Sequence, residues 1–231
     1  MFGSLAHVVR DHLAALRMLL VFTVITGIAY PLTITGIAQG LFPHQANGSM
    51  IKDSGRPVAS SLLGQNFDLP PRKGRTTAAP DPKWFQPRPS AAGSTGYDPT
   101  SSGASNLGPN SDTLVRRIAQ RRAAVAAFDG VRPGSVPADA VTASGSGLDP
   151  DISPAYAYEQ VNRVAKARGL DPAAVRRLVA AHVTGRRLGF LGQKSVNVVR
   201  LNHDLDGSGP TMNTHRAPCV TPSAREPCST W

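Results

Sequence analysis

The most prominent feature in the pattern of apolar and polar positions is an apolar run near the N-terminus, where residues 18–38 carry no formal charge. As a helix, the run would span ~31 Å, about the thickness of the hydrocarbon core of a membrane. It is too long for the apolar part of a typical cleaved signal peptide, which is the main alternative. The pattern therefore predicts a transmembrane helix over residues 17–40.

Basic residues flank this run unequally. Arg10 and Arg17 precede it, and the next Lys or Arg in the chain is Lys52. Because the cytoplasmic flanks of membrane helices carry an excess of Lys and Arg, we expect residues 1–16 to be a short cytoplasmic tail. The soluble part of the chain would then lie outside the cytoplasm.

The predicted membrane helix contains residues that a plain anchor does not need. Pro31 removes a backbone donor and would clash with the carbonyl of Gly27, one turn earlier. Nearby threonines can bond the freed backbone groups or a neighbouring helix. Small residues four positions apart allow close contact between helices. We therefore predict that the helix packs against another membrane helix through Thr23, Gly27, Pro31, Gly36 and Gly40.

The remaining soluble part, residues 41–206, begins with an irregular half. Residues 43–112 are rich in Pro, Gly, Ser and Asn and are broken by short apolar runs, which predicts short strands and turns. Within this half, residues 69–82 have no periodicity and several charges, so we expect an exposed inserted loop. Residues 207–231 also lack apolar periodicity, which predicts a disordered C-terminal tail.

The second half of the soluble part is more regular. Apolar residues at helical spacing predict helices over residues 113–128, 153–168 and 171–185. Their candidate N-caps are Asp112, Ser153 and Asp171, and the last two precede a proline that suits the first helical position. Apolar runs at 136–141 and 196–201 predict strands. The predicted fold class is an α+β domain in which helices cover a small sheet, preceded by a single membrane helix.

The net charge of +10 narrows the range of partners. The basic residues are scattered and form no RNA-binding or helix-turn-helix pattern, so nucleic acid is not an expected partner. A basic surface beside anionic membrane lipid fits the charge better. The two cysteines, Cys219 and Cys228, either pair outside the cytoplasm or remain free thiols in the tail. The histidines have no spacing that is typical of a metal site.

The sequence contains no nucleotide-binding P-loop and no Gly-x-Ser-x-Gly elbow. The nearest candidate for anion or nucleotide binding is a Gly-rich turn, whose backbone N–H groups could face an anion. An ordinary turn is the alternative. The turn consists of Ser144, Gly145, Ser146 and Gly147.

Three charged residues near this turn are open to two interpretations. Arg88, between two prolines, could hold an anion, or it could pin a loop through a salt bridge. Asp149 and Asp151 could act as an acid and a base, or they could serve the start of the helix at Ser153. In each case we favour the structural interpretation.

Several short motifs follow one another in a fixed order along the chain. They are Tyr30-Pro31; Phe42-Pro43-His44-Gln45-Ala46-Asn47-Gly48-Ser49; Gly64-Gln65-Asn66-Phe67; Trp84-Phe85 with Arg88-Pro89-Ser90; Ser105-Asn106-Leu107-Gly108-Pro109; residues 141–150 with Ile152-Ser153; and Leu188-Gly189-Phe190-Leu191-Gly192 with Val196-Asn197-Val198 and Leu201-Asn202. From about Leu16 to Asp206 the chain thereby resembles the C subunit of the Kdp-type potassium-transporting ATPase, a bacterial P-type pump. It departs from the family at Asp151, usually His, at Ala140, usually aliphatic, and in its loop 69–82 and its tail.

The resemblance implies a non-catalytic accessory subunit in the bacterial inner membrane. In that family a channel-like subunit selects potassium, and a P-type subunit hydrolyses ATP. The C subunit is needed for assembly and raises the ATP affinity of the catalytic subunit. The implied partners are therefore these two subunits and membrane lipid. No tightly bound cofactor is implied, and ATP would be involved only through the catalytic subunit.

The predicted sidedness separates the soluble domain from cytosolic ATP. Any effect on nucleotide affinity would then be an allosteric coupling through the membrane helices. The alternative from another class of function is a membrane-anchored extracytoplasmic enzyme that uses Ser144 or Ser146, with Asp149 nearby.

Overall fold

The computed structural model describes residues 2–70 and 79–207, with side chains from residue 7 onward. Most of the predicted loop 69–82 lies outside the described residues. So does the predicted tail after Gly207, together with Cys219 and Cys228. The predicted fold class is confirmed, since a long apolar helix precedes a domain of helices and two small sheets.

The N-terminal helix is longer than the apolar run alone. It comprises α1 (Phe2–Val24), a π-helical turn (Ile25–Ala29) and α2 (Tyr30–Leu41). His7–Leu41 is long and apolar enough to cross a membrane, and the described chain buries none of its most apolar part. The described chain therefore leaves the apolar surface of this helix uncovered.

A short helix and a hairpin connect the membrane helix to the domain. After the break at Phe42 come α3 (Pro43–Ala46), β1 (Met50–Asp53) and β2 (Arg56–Ser60), and the two strands pair antiparallel. Ser54 and Gly55 form the turn with φ angles of 49° and 82°. Positive φ at both central positions is typical of a tight hairpin turn. The expected short strands of this half are confirmed here.

The core of the domain is a three-stranded antiparallel sheet in the order β3-β5-β4, covered by helices. The strands are β3 (Asp151–Ile152), β4 (Val183–Thr184) and β5 (Ser195–Asn197). The helices are α4 (Asp112–Asp129), α5 (Pro154–Arg168), α6 (Pro172–Ala181) and α7 (Val198–Gly207).

Two of the predicted caps are confirmed. The side chain of Ser153 accepts a hydrogen bond from the N–H of Tyr156, and that of Asp171 accepts one from Ala173. Gly169 ends α5 with a φ of 67°, a conformation that glycine adopts without strain. Asp112 is the first residue of α4 rather than its cap, because Ser111 occupies the cap position with extended backbone.

Three predicted boundaries or elements are wrong. The predicted strand at 136–141 is not a strand. It follows one 3₁₀ turn (Pro133–Ser135) and contains a second such turn (Ala138–Ala140), and Pro137 lacks the N–H that a strand ladder would need. The predicted strand at 196–201 ends at Asn197. Its side-chain oxygen accepts a hydrogen bond from the N–H of Arg200 at 3.0 Å, and α7 begins there. Helix α6 ends at Ala181, since residues 183–184 pair with β5.

An irregular segment, residues 82–86, enters the interior of the domain at Phe85 and Gln86 without belonging to a strand. Phe85 is fully buried, and its backbone N–H and C=O both bond the amide of Asn202 at 2.9 Å. Gln160, also fully buried, bonds the backbone of Gln86 in the same two-point manner, at 2.6 and 3.1 Å. Buried side chains of α5 and α7 thus take the place of a neighbouring strand.

Candidate functional site

The Gly-rich turn, residues 144–147, lies between the second 3₁₀ turn and β3. The hydroxyl of Ser144 accepts the N–H of Gly147 at 2.9 Å, and that of Ser146 accepts the N–H of Leu148 at 3.1 Å. Both hydroxyls therefore stabilise the turn itself. Neither is hydrogen-bonded to a histidine, a lysine or a carboxylate among the described residues, so the geometry does not support a serine nucleophile there.

The turn is packed tightly against residues 90–103. Ser90 donates to the carbonyl of Gly147 at 2.6 Å, and the N–H of Gly103 donates to that of Ser146 at 2.9 Å. Gly147 has a φ of 70°, and a Cβ atom there would lie 2.7 Å from the backbone of Ala92 and of Gly103. Only glycine satisfies both the conformation and the close approach.

The charged residues beside the turn form a salt bridge, as favoured from the sequence. Arg88 Nη1 lies 3.1 Å from Asp149 Oδ2, and the same guanidinium approaches the carbonyl of Thr142. The other oxygen of Asp149 accepts the N–H of Asp151 at 3.0 Å. Through these contacts, Arg88 holds its own loop against the segment 142–149.

Two further groups near Asp149 have raised pKa values. Burial raises the pKa of the Asp151 carboxyl, and the negative charge of Asp149 raises it further. Burial, followed by the same charge, also raises the pKa of Tyr97, whose hydroxyl donates to the carbonyl of Arg88 at 2.6 Å. Both shifts follow from desolvation first and from a neighbouring carboxylate second.

An open concavity of about 480 Å³ lies in front of the turn, lined also by Leu62, Leu63 and Ser102. Gly145 and Ser146 are exposed, whereas Ser144 and Gly147 are buried. Of the four predicted anion-binding positions, two therefore face solvent. The prediction that the Gly-rich turn binds an anion or a nucleotide remains a prediction.

The clash predicted between Pro31 and the preceding turn is relieved by the π-helical turn (Ile25–Ala29). The N–H of Tyr30 reaches the carbonyl of Ile25, five residues earlier, just before Pro31. Widening the helix there accommodates the proline ring. As expected, threonine hydroxyls donate hydrogen bonds to backbone carbonyls. Thr26 donates to Phe22 at 2.6 Å, and Thr33 donates to Ala29 at 2.8 Å.

The small residues of this helix face open space. A Cβ atom added at Gly36 or Gly40 would meet nothing within 4 Å, and at Gly27 it would meet only Thr23, at 4.0 Å. The described chain therefore does not cover the predicted packing positions. Their role in contacting another membrane helix remains a prediction.

A set of hydrogen bonds that sequence reasoning missed connects the membrane helix to the domain. We name it the joint: Ser49, Ser61, Asn197 and Arg200. The N–H and hydroxyl of Ser61 both bond the carbonyl of Ser49 at 3.1 Å. Asn197 donates to the carbonyl of Ser61 at 2.8 Å, and Arg200 donates to its hydroxyl at 3.1 Å. Isolated serines give no signal in a sequence when their partners are 136 residues away.

Comparison with known proteins extends over nearly the whole chain. Residues 12–207 match the family described as "KdpC: K+-transporting ATPase, c chain". A protein of Streptomyces coelicolor named "Potassium-transporting ATPase KdpC subunit" is 50% identical over 209 residues, which cover 86% of this chain and 93% of that protein. A protein of the same name from Gemmatimonas aurantiaca is 54% identical over 203 residues, 88% and 96% of the two chains.

Proposed function

This chain belongs to the KdpC family of potassium-transporting ATPase subunits, and we propose that it is the non-catalytic accessory subunit of a high-affinity, ATP-driven potassium uptake pump. In this role it supports assembly of the complex and raises the ATP affinity of the catalytic P-type subunit. Its other partner is the channel-like subunit that selects potassium. The observation that carries the proposal is the family match over both the membrane helix and the domain.

The membrane helix supplies the means of assembly in this proposal. It crosses the bacterial inner membrane once, with the N-terminus in the cytoplasm and the domain outside. Its apolar surface is uncovered by the described chain, and Gly36 and Gly40 leave room for a close neighbour. Small residues at such positions allow two helix backbones to approach within van der Waals contact.

Co-purification tests the assembly role. The tagged chain is expected to retain the two larger pump subunits in mild detergent from cells grown at low potassium. Gly36→Leu should reduce that yield severalfold, because a large side chain separates the helices. Ile37→Leu, which adds no bulk at the next position, is the matched control. Failure of the unaltered chain to retain any subunit contradicts the proposal.

The joint supplies a route for the effect on ATP affinity. A domain on the extracytoplasmic side of the membrane contacts no cytosolic ATP. Its influence on ATP affinity must therefore pass through membrane helices that it holds in place. The bonds between Ser49, Ser61 and Arg200 connect the domain to the segment that follows the membrane helix. The exposed part of the Gly-rich turn is not needed for this coupling.

A kinetic comparison on the purified complex tests the coupling. Ser61→Ala removes two hydrogen bonds of the joint and should raise the KM of the complex for ATP by roughly three- to tenfold without dissociating it. Ser54→Ala removes only an exposed bond to Asp53 at 3.2 Å and should leave KM unchanged. An unchanged KM in Ser61→Ala rejects the joint as the route.

A further inference from the structure

The segment between β4 and β5, residues 185–194, forms an ordered hairpin, which we name the tip hairpin. The N–H and C=O groups of Arg187 and Leu191 bond each other reciprocally, at 2.9 Å each, and the N–H of Gly189 bonds the carbonyl of Arg186 at 3.2 Å. Its shape is therefore fixed by its own backbone. The described side chains of the domain contribute no hydrogen bond to it.

The tip hairpin presents large apolar side chains to solvent. Leu188 is 84% exposed, Phe190 74% and Leu191 56%. Leu188 also has a φ of 55°, a left-handed conformation that a residue with a Cβ atom adopts at a cost. A folded domain that holds three adjacent apolar side chains in water in this way offers a contact surface.

Basic residues surround this apolar tip. Arg186, Arg187 and Lys194 are all exposed, and none of them forms an ion pair within residues 2–70 and 79–207. The imbalance extends beyond the hairpin, because residues 172–203 contain six Lys or Arg and no Asp or Glu. The partner of this surface is therefore both apolar and anionic.

We propose that the tip hairpin docks into the surface of an anionic lipid bilayer. Leu188, Phe190 and Leu191 enter the boundary between headgroups and acyl chains, and the three basic side chains contact lipid phosphates. An apolar tip with a basic rim is the composition of interfacial membrane anchors. This proposal rests on the membrane anchoring proposed above, and it is independent of the other pump subunits.

The position of the hairpin in the fold favours lipid over a soluble partner. Its second arm continues into β5, and Asn197 at the end of β5 bonds Ser61 of the joint. From Lys194 to Asn197 is three residues, or about 10 Å of extended chain. The base of the hairpin is thereby tied through Ser61 to Ser49, which lies eight residues after the end of the membrane helix at Leu41.

Fluorescence on the full chain tests the docking. Cys219 and Cys228 are replaced by serine, and Gln193→Cys carries an environment-sensitive probe that leaves the apolar tip and the basic rim intact. The protein alone is reconstituted into vesicles of phosphatidylcholine or of equimolar phosphatidylcholine and phosphatidylglycerol. With phosphatidylglycerol, the emission is expected to shift to the blue, and lipids brominated near the headgroup are expected to quench it.

Three variants complete the design. Ala155→Cys places the probe at an exposed position of α5 beside the acidic Asp139 region and should report water in both vesicles. Neutralising Arg186, Arg187 and Lys194 to Gln should reduce the equilibrium constant for docking by about 100-fold, since each basic residue near an anionic surface contributes about fivefold. Leu188→Ser with Phe190→Ser should abolish the quenching.

Three results overturn the proposal. The first is a probe at position 193 that reports water in the anionic vesicles. The second is a shielded probe that brominated lipid does not quench, which identifies a second copy of the chain as the cover. The third is docking that survives neutralisation of the three basic residues. Because no other subunit is present, none of these results bears on the pump role.

Discussion

Segment 82–86 and the tip hairpin are both irregular stretches outside the regular strands, yet they are stabilised in opposite ways. The backbone of segment 82–86 is bonded by side chains that are themselves buried, Asn202 and Gln160. The tip hairpin bonds only its own backbone and leaves its apolar side chains in solvent. The first stretch is completed inside the chain, and the second has apolar surface that no described residue of the chain covers.

The arginines of the two regions also differ in whether the described chain supplies their partners. Arg163 lies 2.6 Å from Asp129, with both side chains almost fully buried, and its guanidinium stacks over Phe128 at 4.3 Å. It also donates to the carbonyls of Pro82 and Trp84 at 2.8 and 2.9 Å. The arginines of the tip hairpin have no such partners among the described residues. Arginine therefore serves folding in one region and, in our proposal, docking in the other.

The largest expected effect comes from breaking the buried ion pair. Asp129→Ala leaves Arg163 buried without its carboxylate and should lower the free energy of unfolding by about 3–5 kcal/mol. Urea unfolding of the full chain in detergent measures this change. Asp206→Ala is the matched control, because Asp206 is 70% exposed and 3.5 Å from Arg168. Its cost should stay below about 0.5 kcal/mol. Equal costs would mean that segment 82–86 does not depend on the buried pair.

Substitution of Gly147 in the Gly-rich turn should destabilise the protein as a substitution in the folded interior does. Gly147→Ala forces a side chain into left-handed backbone and to within 2.7 Å of two backbone atoms, which should cost roughly 2–3 kcal/mol in the same assay. Gly145→Ala adds a Cβ atom that meets nothing within 4 Å and should change stability by less than about 0.5 kcal/mol. If Gly147→Ala proves harmless, the packing of this turn against residues 90–103 is not what holds it.

Local features of the fold were predictable because their causes lie within a few residues. Ser153 and Asp171 cap helices whose first turn carries the proline, and the apolar run at 18–38 is long enough to span a membrane by itself. The bond between Asn202 and Phe85 joins residues 117 apart, and no local pattern encodes it. Tertiary contact also decided the end of β5. Val198 and Val199 read as strand, but both are buried in α7.

The candidate sites were predictable to different degrees for the same reason. The salt bridge of Arg88 was anticipated, because a proline-flanked arginine has few conformations and needs a partner nearby. The joint was not, since its serines acquire their role only when α7 folds back onto them. The apolar tip of the hairpin was part of a recognised motif, but its exposure followed only from the three-dimensional structure.

A smaller effect on stability is expected from a carboxylate with an oxygen that is buried without a hydrogen bond. Glu159 Oε1 is buried without a hydrogen-bond partner among the described residues. Burial, with the charges of Asp129 and Asp139, raises the pKa of Glu159 to about 7. The folded state therefore holds a proton that the unfolded state releases near its lower, ordinary pKa. The contribution of Glu159 to stability is thus greatest in acid and falls as the pH rises from about 4.5 towards about 7.

Glu159→Gln should remove this pH dependence. At pH 8 the variant should be more stable by about 1 kcal/mol, a value reduced for solvent screening, and at pH 4 it should match the unaltered chain. Urea unfolding at both pH values measures the difference. The same gain at both would indicate a packing effect instead of titration.

The smallest expected effect on stability is the one that separates the two regions most directly, because each contains a phenylalanine. Phe190 in the tip hairpin is 74% exposed, whereas Phe85 in segment 82–86 is fully buried. Phe190→Ser removes a side chain that contributes little to the folded state and should change the free energy of unfolding by less than about 0.5 kcal/mol. Phe85→Ser should cost about 3–5 kcal/mol, as much as the loss of the buried ion pair, through the lost burial and the cavity left behind. Urea unfolding without lipid gives both values. A cost for Phe190→Ser that approaches the cost for Phe85→Ser would place the hairpin tip in the folded interior, and its exposed side chains would then no longer argue for a membrane contact.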